Sequence, residues 1–321
     1  MKSSSWFDLV LLSCLWGCAY PLGKIAIETA GPLTVSAGRV GIAALVLSLV
    51  VRLRHDPLPR TWFEWRFFVA VGVLNSVIPY CLILWGMTRI ASGVAATITA
   101  MTPVITLVAG HYLFASERMD VRRVVSVGIG MAGIAVIVGS DPATLASGDI
   151  VARLAVLGAT ISSALSYVVA ARFLQGGPSI SAPVASWGQM CSATLVLLPV
   201  SLVVDRPWKA ATWAPGTTLA ILGLAIPCTV VAYLLFYRLS AGAGAANTSL
   251  VTLLAPIVSL TLGMIALSEQ PRAYHLVGMA LVGLALVGTD GRVVQALFMK
   301  ARPVGIHHPR PRVARSTPPM K

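Results

Sequence analysis

The chain has 321 residues, of which 57% are hydrophobic and 11% are charged, and its formal net charge at pH 7 is +13. Soluble globular proteins carry about 25% charged residues, so this composition excludes a soluble globule. The positive charge does not indicate nucleic acid binding, because the basic residues lie in short loops and in the tail after Gly291, where membrane topology would place them.

Ten apolar segments of roughly 20 residues follow one another along the chain, and each is long enough to cross a bilayer as a helix. Short connections join them, so we predict one bundle without a soluble domain. The sequence therefore predicts an all-α polytopic membrane protein with ten transmembrane helices, at residues 6–27, 32–51, 67–86, 91–113, 122–139, 150–172, 182–204, 217–238, 244–267 and 273–290.

One motif occurs twice, first across the third and fourth predicted spans and then across the eighth and ninth. The copies are Tyr80–Glu117 and Tyr233–Glu269, and their tyrosines lie 153 residues apart (233 − 80 = 153). Each copy has a long uncharged segment with a proline near its middle, and its small and polar residues recur every three or four positions, as on one helical face. We therefore predict two five-span repeats, residues 1–140 and 150–290, and a basic, disordered tail at 291–321.

The distribution of lysine and arginine predicts the orientation in the membrane. With the N-terminus in the cytoplasm, 17 basic residues face the cytoplasm and 6 face outside, while Arg39 lies within a span (17 + 6 + 1 = 24). We therefore expect both termini on the cytoplasmic side of the inner membrane. Because five is an odd number of spans, the second repeat then enters from the opposite side, and the halves become inverted repeats, as in many secondary transporters.

Two prolines mark a candidate binding site near the middle of the membrane. Pro103 and Pro256 each lack an N–H and would release the carbonyl four residues earlier, on Thr99 and Thr252. Such carbonyls are tolerated in hydrocarbon only where they face protein or a watery cavity. Matched interrupted helices in both halves point to a transporter's binding site. The alternative is a pair of structural kinks, with the small-residue faces serving only close helix packing.

Polar and aromatic residues inside other spans complete the set of candidates. Arg39 is a charge within a span, which is costly and indicates function by default, although it could instead pair with Glu28 or extend toward the membrane surface. The amides of Asn75 and Asn247 could bind substrate or cross-link helices. Several aromatic residues could form cavity walls or interface anchors, namely Trp16, Tyr80, Tyr167, Trp187 and Tyr233.

Enzyme signatures are missing from the chain. A GxGxxG match at 128–133 falls within a predicted span with no strand before it, and no Walker A, nucleophile-elbow or metalloprotease motif occurs. The five cysteines lie within apolar segments and are predicted to be free thiols. We predict no catalysis, no cofactor and no metal site. Two alternatives from other classes stay open: an intramembrane lipid-modifying enzyme, and a structural or assembly protein.

These motifs resemble the EamA-type members of the drug/metabolite transporter superfamily over about residues 6–290. The residues that carry the resemblance are Trp16, Gly17, Pro21, Lys24, Pro32, Arg39 and the units Pro103–Glu117 and Pro256–Glu269. The resemblance implies two inverted five-helix repeats around a central cavity lined by spans three, four, eight and nine. It also implies export or exchange of small metabolites such as amino acids. A tryptophan that the family pattern expects near residues 163–167 is absent, leaving Tyr167 there.

The expected partners are a small-molecule substrate and membrane lipids, and not nucleic acid. The basic tail is expected to contact anionic lipid head groups. The fifth and tenth predicted spans are rich in glycine, so they could also face a second copy of the chain in a homodimer.

Overall fold

Helices account for all regular secondary structure in the part of the chain that the computed structural model describes, which comprises residues 3–59, 61–113, 121–139, 149–174, 180–209, 214–243, 251–270 and 272–289. The α-helices within these ranges are α1 (Ser3–Ala26), α2 (Pro32–Arg54), α3 (Trp62–Gly72), α4 (Ile78–Met87), α5 (Ser92–Thr99), α6 (Thr102–Leu113), α7 (Val121–Gly139), α8 (Asp149–Leu174), α9 (Ala182–Val204), α10 (Pro215–Ala225), α11 (Ala232–Ala243), α12 (Val251–Leu267) and α13 (Ala273–Thr289). Asn247 and the predicted tail lie outside the described residues.

Among the described residues, seven helical segments are long and apolar enough to cross a membrane. Their mean hydropathies lie between 1.5 and 2.4, and shorter apolar stretches occur within α7, α12 and α13. A helix satisfies its own backbone hydrogen bonds, as the hydrocarbon interior requires. The prediction of an all-α polytopic membrane protein is therefore confirmed. The seven segments are Phe7–Ala26, Pro32–Arg54, Trp62–Met87, Ser92–Gly110, Asp149–Ala170, Ala182–Val204 and Pro215–Phe236.

Two π-helical turns interrupt the spans at matched positions. Val73–Val77 joins α3 to α4 and Ile226–Val231 joins α10 to α11, so the two turns begin 153 residues apart (226 − 73 = 153). A π-turn bonds each residue to the fifth one along instead of the fourth, and such turns are frequent at functional sites. Hydropathy and periodicity predicted neither of them.

The two predicted proline interruptions differ from each other. α5 ends at Thr99 and α6 begins at Thr102, so the fourth span is broken just before Pro103. The Thr102 hydroxyl donates to the Thr99 carbonyl at 2.6 Å, so this carbonyl is not left free as predicted. Pro256 lies within the continuous helix α12. The expectation of two matching breaks is therefore wrong.

The residues that precede the two prolines also differ. The residue before Pro103 is a threonine, whereas the residue before Pro256 is Ala255 (102 + 153 = 255). A threonine hydroxyl competes with the helix for a backbone carbonyl, and an alanine methyl group does not. At this position the first repeat therefore has a hydroxyl bonded to the Thr99 carbonyl, and the second repeat has none.

The two halves of the chain pack against each other in reciprocal pairs. α1 contacts α12 and both parts of the eighth span, α10 and α11, and its counterpart α8 contacts α6 and both parts of the third span, α3 and α4. Two further pairs, α2 with α9 and α7 with α13, each join a helix to its own counterpart. Small residues allow these close approaches. A Cβ added to Gly133 of α7 would lie 3.0 Å from the Gly278 carbonyl of α13.

Two carboxylates of the second half cap helices of the first half. Asp205 accepts the N–H of Thr34 at 2.7 Å, at the N-terminus of α2. Glu269 accepts the N–H groups of Ser92 at 2.7 Å and Gly93 at 3.3 Å, at the N-terminus of α5. The first N–H groups of a helix have no partner within the helix, so these carboxylates satisfy them and also interact favourably with the helix dipole.

Candidate functional site

A cavity of about 160 Å³ lies between the two halves. Liquid water occupies about 30 Å³ per molecule, so the cavity has room for a small metabolite. Both halves contribute walls, from α1, α2, α4, α5 and α6 on one side and α8, α11 and α12 on the other. The lining residues are Trp16, Ala19, Tyr20, Arg39, Asn75, Pro79, Tyr80, Ile83, Leu84, Met87, Ala96, Thr99, Ala100, Thr102, Ser163, Tyr167, Tyr233, Ala255 and Pro256.

Eight of the twelve residues predicted for the site line this one cavity. Pro103 and Trp187 are not part of its lining, Asn247 lies outside the described residues, and nothing is described of the Thr252 side chain. The chain thus brings together residues from seven separate helices and a π-turn. The eight are Trp16, Arg39, Asn75, Tyr80, Thr99, Tyr167, Tyr233 and Pro256.

Trp187, which was a candidate for the cavity wall or for an interface anchor, packs between helices instead. Its indole Nε1 donates to the Ser48 hydroxyl at 2.8 Å, and its ring contacts Trp65 at 5.9 Å between centroids. These contacts fix α9 against α2 and α3, because an indole N–H in apolar surroundings needs an acceptor. The residue therefore joins helices away from the cavity.

Aromatic rings form one end of the cavity wall. The Trp16 ring meets Tyr233 edge-on at 6.3 Å and Phe236 at 5.6 Å. Phe236 in turn stacks on Tyr167 at 6.5 Å. Aromatic pairs at these separations stabilise one another beyond the area they bury. The predicted aromatic residues of α1, α8 and α11 are thus parts of a single cluster.

Tyr20 is a lining residue that the sequence analysis missed. Its hydroxyl bonds the Thr99 hydroxyl of α5. The Thr99 hydroxyl also lies within donating distance of the backbone carbonyls of Ala95 (3.1 Å) and Ala96 (2.9 Å), and either hydroxyl can donate in the bond between Tyr20 and Thr99. One signal could have found it, since Tyr20 lies four residues after Trp16 and therefore on the same helical face. Ser163 stands in the same relation to Tyr167.

Buried amides connect the first π-turn to the cavity residue Tyr233 of α11. Asn75 Nδ2 donates to the Tyr233 hydroxyl at 3.1 Å, and Gln189 Nε2 donates to the same hydroxyl at 3.3 Å. Gln189 also donates to Ser76 at 2.9 Å. Asn75 thus combines the two roles considered for it, because it lines the cavity and also cross-links helices. Gln189 serves as a cross-link behind the wall.

Arg39 is held inside the bundle and does not extend to the surface. Its side chain is 9% exposed, its Nε donates to Thr229 at 2.8 Å and its Nη2 donates to the Cys228 carbonyl at 3.3 Å. The guanidinium carbon lies 4.0 Å from the centre of the Tyr80 ring. Glu28 is exposed and does not pair with it. The second π-turn, which carries Cys228 and Thr229, therefore positions this cation.

The bond between Tyr20 and Thr99 gives a first prediction. We expect Thr99→Val and Tyr20→Phe each to lower the free energy of unfolding by about 0.5–1.5 kcal/mol, the net worth of one hydrogen bond. Both changes remove the same bond, so the double variant should lose much less than the sum of the single effects. Thermal unfolding in detergent measures the stability of the four purified proteins, which are the parent, the two single variants and the double variant. Strictly additive losses would contradict the bond.

The geometry defines a class of protein: a helical membrane protein whose two halves enclose a polar and aromatic cavity large enough for a small solute. The sequence pattern of the EamA-like transporter family matches residues 5–139 and again residues 150–289. The chain therefore belongs to the EamA-like transporter family, and it is a multi-pass membrane transporter.

Individual relatives agree with this assignment. The chain is 26% identical to the uncharacterized transporter YvbV of Bacillus subtilis, over 93% of this chain and 94% of the relative. It is also 26% identical to Protein PecM of Dickeya dadantii, over 85% and 88% of the two chains, and to Protein PagO of Salmonella typhimurium, over 79% and 82%. A solved crystal structure at 16% identity covers 92% of this chain and 99% of its own with a TM-score of 0.64, which shows the same fold.

Proposed function

We propose that this protein is a secondary transporter that exports a small metabolite across the inner membrane by alternating access. The observation that carries the proposal is the cavity itself, which is built from both halves and lined by polar and aromatic side chains. A polar solute gives up hydration when it leaves water, so it needs donors and acceptors inside the protein. Arg39, Asn75 and the tyrosine hydroxyls offer them.

The halves are proposed to be inverted repeats of five transmembrane helices each. Three observations support this arrangement: the reciprocal packing of helices between the halves, the matched π-turns, and the two matches to the family pattern. In transporters built from inverted repeats, the binding site lies at the interface of the repeats and access alternates when one repeat moves against the other. The cavity occupies that interface.

The experiment that tests the function is flux in proteoliposomes. We expect at least one radiolabelled compound from a panel of small metabolites, amino acids included, to exchange faster than in protein-free liposomes and to saturate. Ala19→Phe should block this flux, because Ala19 lines the cavity. Leu195→Phe is the matched control, because Leu195 is 74% exposed on α9, away from the lining. Flux that Ala19→Phe leaves unchanged would place the pathway elsewhere, and no saturable flux of any compound would refute the function.

The topology gives a second prediction. We expect both termini in the cytoplasm, because 17 of the basic residues then face the cytoplasm and 6 face outside. A fluorescent protein fused after Gly291 should be bright and alkaline phosphatase at the same position inactive. The same pair of reporters placed at residues 140–149, the connection between the halves that this orientation puts outside, should give the reverse result. An active phosphatase after Gly291 would overturn the proposed orientation.

A further inference from the structure

Arg39 is the one charged side chain among the described residues that line the cavity. It is 9% exposed, and burying a cation costs a large free energy unless another charge or a set of polar groups compensates it. Its known contacts are the Thr229 hydroxyl, the Cys228 carbonyl and the Tyr80 ring, and all three are uncharged. Among the described residues, no carboxylate lies within 4.0 Å of the guanidinium.

The guanidinium is fixed in place and still has donors to offer. Of its five N–H groups, two bond Thr229 and Cys228, which leaves three without a partner in the described part of the chain. The Thr229 hydroxyl donates to the Leu224 carbonyl at 2.8 Å, so its oxygen is oriented to accept from Arg39. The Tyr80 ring contacts the guanidinium from one side, with its centre 4.0 Å from the guanidinium carbon. A planar fork held in this way suits an oxyanion.

We infer that the substrate is a small monocarboxylate with an apolar or aromatic body, bound through its carboxylate to Arg39; this inference rests on the transport function proposed above. The single positive charge of Arg39 matches the single negative charge of a monocarboxylate. A second anionic group, or the ammonium of an amino acid, would find no charged partner in the described lining. The rings of Trp16, Tyr80 and Tyr233 suit the apolar body.

The test compares matched ligands on the purified protein in detergent at neutral pH, by isothermal titration calorimetry. The probes are phenylacetate, 3-phenylpropanoate and 4-methylpentanoate, the neutral amide of each, and the zwitterions phenylalanine and leucine. The last two are the amino derivatives of 3-phenylpropanoate and 4-methylpentanoate. We expect at least one carboxylate to bind about tenfold or more tightly than both its amide and its amino derivative, because an ionised hydrogen-bond pair is much stronger than a neutral one.

Two arginine variants connect this preference to the site. Arg39→Gln should remove the preference for carboxylate over amide, and Arg39→Lys should keep part of it, because lysine retains the charge without the planar fork. Arg89→Gln is the matched control: Arg89 is also a cation beside an aromatic ring, 5.5 Å from the centre of Trp85, but it is exposed and does not line the cavity. This control should bind as the parent does.

Several outcomes would overturn the inference. The parent protein could bind none of the carboxylates, could bind each acid and its amide equally, or could bind the amino acid more tightly than the carboxylate. Arg39→Gln could also keep the parent's preference for carboxylate over amide. If the arginine variants do not fold, the ligand comparison on the parent protein still decides the question. Any of these results together with saturable flux in proteoliposomes would refute only the substrate class, whereas an absence of flux would refute the transport function itself.

Discussion

Replacing Gly17 by alanine is expected to lower the free energy of unfolding by about 1–3 kcal/mol, as overpacking of a close contact does. A Cβ at this position of α1 would lie 2.6 Å from the Cβ of Val258 and 2.7 Å from the backbone carbonyl oxygen of Ala255, both on α12. A backbone carbonyl cannot turn aside as a side chain can, so α12 would have to move away from α1. Ala255 and the neighbouring Trp16 line the cavity, so that movement would also distort the candidate site.

The same substitution at Gly128 is the control. A Cβ there would meet no atom of the described structure within 4 Å, and Gly128 lies in the interior of α7. Alanine at such a helix position raises stability by about 0.5–1 kcal/mol, because glycine loses more backbone entropy on folding. Thermal or denaturant unfolding in one detergent should therefore give shifts of opposite sign. If both variants move the transition in the same direction by a similar amount, α1 and α12 do not approach as closely as described.

Removing the Glu269 carboxylate is the second change with a large expected effect. Glu269→Ala should lower the free energy of unfolding by about 2 kcal/mol, within the range for losing a helix N-cap and its charge-assisted hydrogen bonds. The carboxylate accepts the N–H of Ser92 at 2.7 Å and bonds the Ser92 hydroxyl at 3.0 Å. No other described group caps this end of α5, which carries the cavity residue Thr99.

The end of α12 explains how Glu269 reaches its position. Ser268 has a φ of 52°, in the left-handed region, and the Glu269 N–H bonds the Gly263 carbonyl at 3.0 Å. This bond spans six residues, one more than the six-to-one bond of a Schellman turn, and it closes the chain reversal at the end of α12. Glycine is favoured in that conformation, so Ser268→Gly should keep the cap and raise stability slightly, whereas Glu269→Ala loses it.

A matched acidic residue separates the cap from general charge effects. Glu28 is exposed and, like Glu269, interacts electrostatically with Lys24. Glu28→Ala should leave the unfolding transition nearly unchanged, because exposed ion pairs contribute little. If Glu28→Ala and Glu269→Ala destabilise the protein equally, the effect is one of net charge and the cap is not its source. In functional assays, Glu269→Ala should also slow flux, since α5 forms part of the cavity wall.

The sequence predicted the features of this protein that depend on polarity and repetition. The described helices lie close to the predicted spans, because about 20 consecutive apolar residues have few alternatives to a membrane helix. Residues such as Tyr80 and Tyr233 were found through the repeat itself. Arg39 was found because a charge within a span is rare.

Features that depend on local backbone geometry could not be predicted in the same way. The π-turns change the hydrogen-bond pattern without changing hydropathy, so no apolar periodicity marks them. The fourth span is broken before Pro103 and the helix around Pro256 is intact, although both prolines occupy the same position in the repeated sequence pattern. Tyr20 shares a helical face with the candidate Trp16, but its bond to Thr99 could not be predicted, because that partner lies 79 residues further along the chain.

The matched π-turns also carry a consequence for the history of the chain. α3 and α10 are both 11 residues long and begin 153 residues apart (215 − 62 = 153), and beyond the π-turns Tyr80 and Tyr233 keep the same offset. If only one half had gained a residue within its π-turn, the offset between corresponding residues would differ before and after the turn. The simplest history is therefore that the irregular turn already existed in an ancestral half-length gene and that duplication copied it.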